Sequence, residues 1–278
     1  MASFRPLCVV GSVNADITVS VVELPRAGET ILGHGLRRDA GGKGANQATA
    51  AARLSDARVR MVGAVGDDPD GQAMLQNLMD AGVDVSGIWL GEEPTGTALI
   101  TVDSHSENHI VVVPGANAAV GIDGVSFGPD EAVLAQLEIP LETVEALATA
   151  VPGFLAINAA PASHLSAELI ARADLIIVNE TEYAAMPEVA SARLVAVTHG
   201  SAGAIMLEHG VQVASAAAPK VSAVSSVGAG DAFCAALTLA VHAGWGYGDA
   251  LRAACAVGAD AVTHLGAQPP LRSLVTYA

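Results

Sequence analysis

Six short, largely apolar runs are strung along the chain at residues 7–11, 59–65, 132–137, 154–158, 175–178 and 194–198. They lack polar alternation, which suits strands covered on both faces better than strands with one wet face. Segments of helical character lie between and after them. Residues 45–54 are Ala-rich. Asp68 and Pro69 open a helix that closes near Gly82, with proline in a first turn that needs no N–H from it. Residues 141–150, 166–172, 232–243 and 249–263 read as further helices. This alternation predicts an α/β fold, a mostly parallel sheet with helices on both faces. Two stretches do not fit that sheet. Residues 17–21 alternate as a half-exposed strand, and the runs at 98–102 and 109–113 form a hairpin through the polar turn at 104–108. They are expected to make a small β lid, at about residues 14–36 and 89–113, on one domain spanning residues 1–278. No internal repeat or low-complexity linker interrupts the chain.

The chain has 278 residues, of which 51% are apolar and 15% charged, enough for a large core and unlike a disordered segment. A formal net charge of −16 argues against nucleic acid or an anionic membrane as partner. Lysine occurs only at Lys43 and Lys220. An anionic substrate therefore needs glycine amides, a metal ion or a few placed cations. Cys8, Cys234 and Cys255 are odd in number and lie in apolar contexts, so they read as reduced core thiols. The opening residues are unlike a signal peptide, and the longest apolar stretch, around 232–245, is too short to span a bilayer. The expectation is a soluble, cytoplasmic protein.

P-loop and dinucleotide-binding signatures are absent, as is any His/Cys set with zinc spacing. Five constellations remain. Asn14 and Asp16 follow the first strand, where α/β sheets collect ligands; an amide and a carboxylate can fork onto sugar hydroxyls, or simply shape a turn. Gly41-Gly42-Lys43-Gly44-Ala45-Asn46-Gln47 places three glycines and an amide where a loop becomes a helix, for close ligand approach or for a plain turn. Asn179 and Glu182, three apart at a helix start, can hold a hydrated magnesium ion or serve as a polar cap. Thr198-His199-Gly200-Ser201-Ala202-Gly203 can pass under a phosphate or turn a hairpin. Gly228-Ala229-Gly230-Asp231 leads into an apolar helix, where free amides can bind an anion with an acid alongside; the bland alternative is a capped turn.

The order and strand-end placement of these five, together with Leu137-Glu138-Ile139-Pro140, Asn158-Ala159-Ala160-Pro161 and the closing Gly266-Ala267-Gln268-Pro269, resemble the ribokinase family of sugar kinases over nearly the whole chain. The resemblance implies a three-layer α/β/α sandwich with a β lid, and ATP-dependent phosphorylation of D-ribose at O5. By similarity Asn14, Asp16, Gly42, Lys43, Asn46 and Glu138 hold the sugar, and Asp231 is the catalytic base. The amides of Gly228, Ala229 and Gly230 form the anion hole. Asn179, Thr198, Gly200, Ser201, Gly203 and Gly230 bind ATP, and Glu182 organises Mg2+ through water. The resemblance also implies a homodimer through the lid. Ser225, Val227, Ala261, His264 and Gly266 fall where family members bind a monovalent cation. This chain departs there: Ser225 replaces an Asp and Pro270 a small hydroxyl residue, so K+ binding is expected to be weak. Other kinases of sugars or nucleosides, and a non-catalytic sugar binder, are the competing readings.

Overall fold

The computed structural model describes residues 4–105 and 108–278. β1 (Leu7–Val10) starts the large sheet and leads directly into β2 (Asn14–Ser20), the first lid strand. β3 (Gly35–Gly41) returns antiparallel to β2 and hands the chain to α1 (Lys43–Leu54). β4 (Val59–Gly66), α2 (Pro69–Asp80) and β5 (Asp84–Gly91) follow, then β6 (Gly96–Val102) and β7 (Asn108–Val113). Strand–helix alternation resumes with β8 (Ala132–Gln136), α3 (Leu141–Ala150), β9 (Leu155–Asn158), α4 (Ala167–Arg172), β10 (Leu175–Asn179) and α5 (Glu180–Ala185). β11 (Leu194–Thr198), β12 (Ala204–Glu208) and β13 (Val211–Ala216) precede the closing helices α6 (Ala229–His242) and α7 (Tyr247–Ala261).

The large sheet has nine strands in the order β13-β12-β11-β10-β9-β8-β1-β4-β5. All neighbours are parallel except the β11–β12–β13 edge. Successive residues of β1 point to opposite faces, and each face has its own core. Leu7 and Val9 pack with α1, α6 and α7, while Cys8 and Val10 pack with α3 and α4. This double burial is what the uninterrupted apolar runs encode. Local signals set the helix starts. Asp68 Oδ1 accepts from the Gly71 N–H at 2.7 Å, and Ser166 Oγ from the Leu169 N–H at 3.1 Å. Cys8, Cys234 and Cys255 are free and buried.

The small sheet is ordered β3-β2-β6-β7. Its bounds differ from the expected lid segments in two ways. Trp89 and its neighbours belong to β5, which extends the large sheet beside β4, so the second lid segment begins at Gly96. β5 escapes a sequence reading because it is a half-buried edge with mixed polarity. The first segment runs past residue 36 to Gly41, because β3 pairs with β2 along its whole length. β3 carries Arg37, Arg38 and Asp39, the charged dress of an exposed edge strand, and shows no apolar run. Of the turn expected at 104–108, residues 106 and 107 lie outside the described residues.

Candidate active site

The C-terminal ends of β1, β8, β9, β10 and β11 share one edge of the large sheet, and α1 and α6 start above it. Both helices are entered through a glycine at positive φ, Gly42 at 85° and Gly228 at 78°. At Gly228 no other residue fits: a Cβ there would lie 2.1 Å from the Ala267 carbonyl oxygen. The first turn of α6 thus leaves the Gly230 and Asp231 N–H groups without an intrahelical partner, with the Asp231 carboxyl on that same turn, while the Ala229 N–H makes a long 3.4 Å contact to the Ser226 carbonyl.

Asp231 is only 9% exposed. Its Oδ2 accepts from Asn46 Nδ2 at 2.9 Å and its Oδ1 from Gln47 Nε2 at 3.0 Å. Burial raises its pKa, and the charge of Lys43 with the two amide bonds opposes the rise. Burial pulls the Lys43 pKa down, yet Asp231, Glu138 and further negative groups leave it above its ordinary value. A cavity of about 230 Å³ runs from Asp231 and Lys43 past Gly228 and Gly230 to Asn179, Glu182 and Thr198. Asn179 and Glu182 form a complete capping box: Asn179 Oδ1 accepts from the Glu182 N–H and Glu182 Oε2 from the Asn179 N–H, both at 2.8 Å. Cap and cavity wall are the same two residues. Gly200, Ser201 and Gly203 form the turn between the antiparallel strands β11 and β12, beside Thr198 rather than in the cavity wall.

A second cavity, of about 410 Å³, opens between the lid and the sheet edge, with Asn14, Glu138 and Val112 in its walls. Glu138 Oε2 accepts from Ser12 Oγ at 2.6 Å and from the Lys43 N–H at 3.0 Å. Asn14 Oδ1 accepts from Asn117 Nδ2 at 2.8 Å. Asp16 stands two residues along β2, on the face it shares with Ala98 and Val112 by register. Its Oδ1 is buried without a partner. Burial first, then the charges of Glu138, Asp39 and Asp231, push its pKa up to about 7. An acceptor oxygen buried without a donor is suited to a ligand hydroxyl.

The two loops of the expected cation site are neighbours, since the Val224 and Ser225 N–H groups both donate to the Val262 carbonyl, at 2.7 and 3.1 Å. Ser225 Oγ is engaged by the Val227 N–H at 3.2 Å, and the Ala261 carbonyl accepts from the His264 N–H at 3.1 Å. Gly266 turns the chain at φ 84°. This donor set has no carboxylate, and Ser225 Oγ and the Ala261 carbonyl are already engaged, so it fits a potassium ion less well than a set with an acid would.

The sequence profile of the pfkB family of carbohydrate kinases matches residues 5–274. The chain belongs to the pfkB family of carbohydrate kinases. It is 37% identical to the ribokinase of Bacillus subtilis, covering 95% of each chain. It is 34% identical to that of Schizosaccharomyces pombe, covering 97% of this chain and 95% of the relative. The ribokinase of Arabidopsis thaliana, solved with ribose and ATP, superposes with a TM-score of 0.85 at 30% identity, covering 100% of this chain and 98% of that one. That of Thermotoga maritima gives 0.86 at 28% identity over 98% of both. As a pfkB kinase the chain has a mostly parallel central sheet, flanking helices and a separate small sheet.

Several residues of this pfkB site carry no role in the sequence reading: Ser12, Gln47, Asn117, Gln136, Asn158 and Gln268. Gln136 and Asn158 are each the last residue of an apolar strand and are buried. A polar residue closing a buried strand is the signal that would have found both.

Proposed function

We propose that this pfkB kinase transfers the γ-phosphoryl group of ATP to O5 of D-ribose, giving D-ribose 5-phosphate and ADP. The observation that carries the reading is Asp231: a buried carboxylate on the first turn of α6, in the wall of the cavity that it shares with Lys43, Gly228, Gly230 and Asn179. Asp231 takes the proton of the O5 hydroxyl as the O5–phosphorus bond forms. The bond from the γ-phosphorus to the bridging oxygen of ADP breaks, and that oxygen keeps the electron pair. Gly228, Ala229 and Gly230 supply N–H groups to the charge developing on the transferring group. Asp16, Asn14, Gly42, Asn46 and Glu138 orient the sugar hydroxyls, and Lys43 offsets negative charge between the two cavities. Orientation of this kind removes much of the barrier to phosphoryl transfer.

Asn179, Thr198 and the turn through Gly200, Ser201 and Gly203 hold the nucleotide, together with Gly230. Among the described residues no group of three His, Cys, Asp or Glu could hold a metal ion. That suits magnesium arriving on the ATP phosphates, with Glu182 ordering its waters. The lid closes over the sugar and excludes water, which would otherwise take the phosphoryl group. Its outward face carries Leu36, Leu99 and Val111, all about half exposed or more, and pairs with a second copy to make a homodimer. Three free buried thiols and an ATP substrate suit the cytoplasm.

The test is an ADP-release assay with Mg-ATP against a panel of pentoses, hexoses and nucleosides, ranked by kcat/KM. D-Ribose is expected to rank first, with ribose 5-phosphate as product. A nucleoside or hexose ranking first, or no turnover of any pentose, would overturn the assignment.

A further inference from the structure

Behind Asp231 lies a second tier of side-chain amides. Gln47 and Gln136 are fully buried and Asn158 nearly so. Gln47 Nε2 donates one hydrogen to Asp231 Oδ1 at 3.0 Å and the other to Asn158 Oδ1 at 2.9 Å. Its Oε1 accepts from Gln136 Nε2 at 2.6 Å. Asn158 is itself turned by donating Nδ2 to the Ile177 carbonyl at 3.2 Å. The sheet register supports this chain of contacts, since Gln136 lies opposite Asn158 and Asn158 opposite Ile177.

An amide side chain is nearly symmetric in shape and opposite at its two ends in chemistry. Reversed, Gln47 would set its carbonyl oxygen against the oxygens of both Asp231 and Asn158, and its NH₂ against that of Gln136. Only one orientation satisfies all three neighbours, and a strand carbonyl that cannot turn dictates it. Burial drives Asp231 toward its neutral form, and a neutral acid cannot accept a proton from a hydroxyl. The groups able to oppose that are few. Lys43 from the start of α1 and Asn46 favour the carboxylate, while Glu138 from the loop after β8 stands against it; Asp16 on β2 and Cys234 on α6 are themselves pushed toward their neutral forms, by burial first and also by the charge of Asp231.

We propose that Gln47 is a positioning residue for phosphoryl transfer, keeping Asp231 ionised and aimed, and that Gln136 and Asn158 hold Gln47 with its donor end toward the carboxylate. The proposal rests on the reading of Asp231 as the base. Asn46 secures the other oxygen, and its own Oδ1 is held by Gln268. Gln47 is fully buried, so it acts on the reaction only through its neighbours, and of these Asp231 is the one placed to take the proton.

Two variants test it. Gln47→Leu keeps the volume and removes the donor; Gln136→Met leaves Gln47 in place and removes one of its two holds, that of Asn158 remaining. For each, kcat at saturating ribose, from which the effect of Asp16 on ribose binding drops out, is followed along the acid limb of the pH profile. The Asp231 carboxyl is titrated in ligand-free protein by carbon-13 NMR, its signal assigned by its loss in Asp231→Asn. Both midpoints are expected to rise by about one pH unit or more in Gln47→Leu, the size of one lost hydrogen bond to a charged group. The rise is smaller in Gln136→Met, and most of the rate returns at the alkaline plateau. A rate that falls equally at every pH with both midpoints unmoved would overturn the proposal and leave Gln47 a packing residue. An NMR midpoint that moves while the kinetic one does not would overturn Asp231 as the base, not the hold of Gln47 on its charge. If Gln47→Leu does not fold, the same readings on Gln136→Met decide the matter.

Discussion

Gly44→Ala probes how tightly α1 is seated. Gly44 is the second residue of α1, and a Cβ on it would lie 2.6 Å from Gly11 C and Ser12 N and 2.7 Å from Ser12 O. All three are backbone atoms, so none can rotate aside. To bring 2.6 Å up to ordinary contact near 3.4 Å, the start of α1 must retreat by roughly 0.8 Å. Asn46 and Gln47 ride on that turn, 2.9 and 3.0 Å from Asp231. A retreat along those bonds lengthens them to about 3.7 and 3.8 Å, beyond hydrogen-bond range. Overpacking costs about 1–3 kcal/mol. Alanine's helix preference over glycine returns about 1 kcal/mol of that. The expected net loss is therefore about 0–2 kcal/mol, a Tm lower by a few degrees at most. The rate suffers more, because a misplacement near 1 Å costs about 100-fold. Thermal denaturation and steady-state kinetics on the same preparation check both numbers. A variant with raised Tm and undiminished kcat would refute the reasoning, since it would show α1 free to accept a methyl group.

Asp231→Asn is expected to retain ribose binding by calorimetry while kcat falls by about 10²–10⁴, the range for loss of a general base; near-full activity would remove Asp231 from the step. With its carboxyl raised to about 7, Asp16 holds a proton in the folded, sugar-free protein that the unfolded chain gives up from its ordinary value of 3.8 upward. Stability without sugar therefore declines as pH rises between those values, and Asp16→Asn should flatten the dependence of Tm on pH. Ribose hydroxyls favour the charged form, so KM for ribose should fall as pH rises through about 7 and become flat and higher in Asp16→Asn. Exchanging a large inert cation for potassium should leave kcat nearly unchanged, and Ser225→Asp should create a dependence; a many-fold activation of the unmodified protein would contradict the neutral donor set. Val111→Arg on the outward lid face should give monomers by sedimentation, and a persistent dimer would place the interface elsewhere.

The large sheet was readable because strands buried on both faces leave contiguous apolar runs, as at Leu175–Asn179 and Leu194–Thr198. β3, β5, β12 and β13 were not: an edge strand needs neither a run nor a clean alternation, β3 shows mainly charge, and β12 is a short apolar run lying directly behind the turn at 200–203. The residues gathered around the two cavities were legible as motifs wherever glycine accompanied them, because glycine marks a backbone constraint. The supporting amides were not. Gln47 stands inside a motif with its neighbour Asn46 already spoken for, and Gln136 and Asn158 acquire meaning only when β8 and β9 are laid side by side. The dual nature of Asn179 and Glu182 shows another limit: spacing announces a cap and a ligand wall in the same letters.

The far end of the chain closes the circle. Gln268 Nε2 donates to Asn46 Oδ1 at 3.2 Å while its Oε1 accepts from Asn77 Nδ2 at 2.6 Å, and Arg53 Nη1 reaches the carbonyls of Gln268 and Pro269 at 2.5 and 2.7 Å. Asn46, whose amide steadies Asp231, is thus steadied by a residue more than two hundred positions downstream. The last strap of the fold, laid across α1 and α2, therefore braces one of the two amides that hold the carboxylate, and a shift of residues 268–269 would be felt at Asp231 through Asn46.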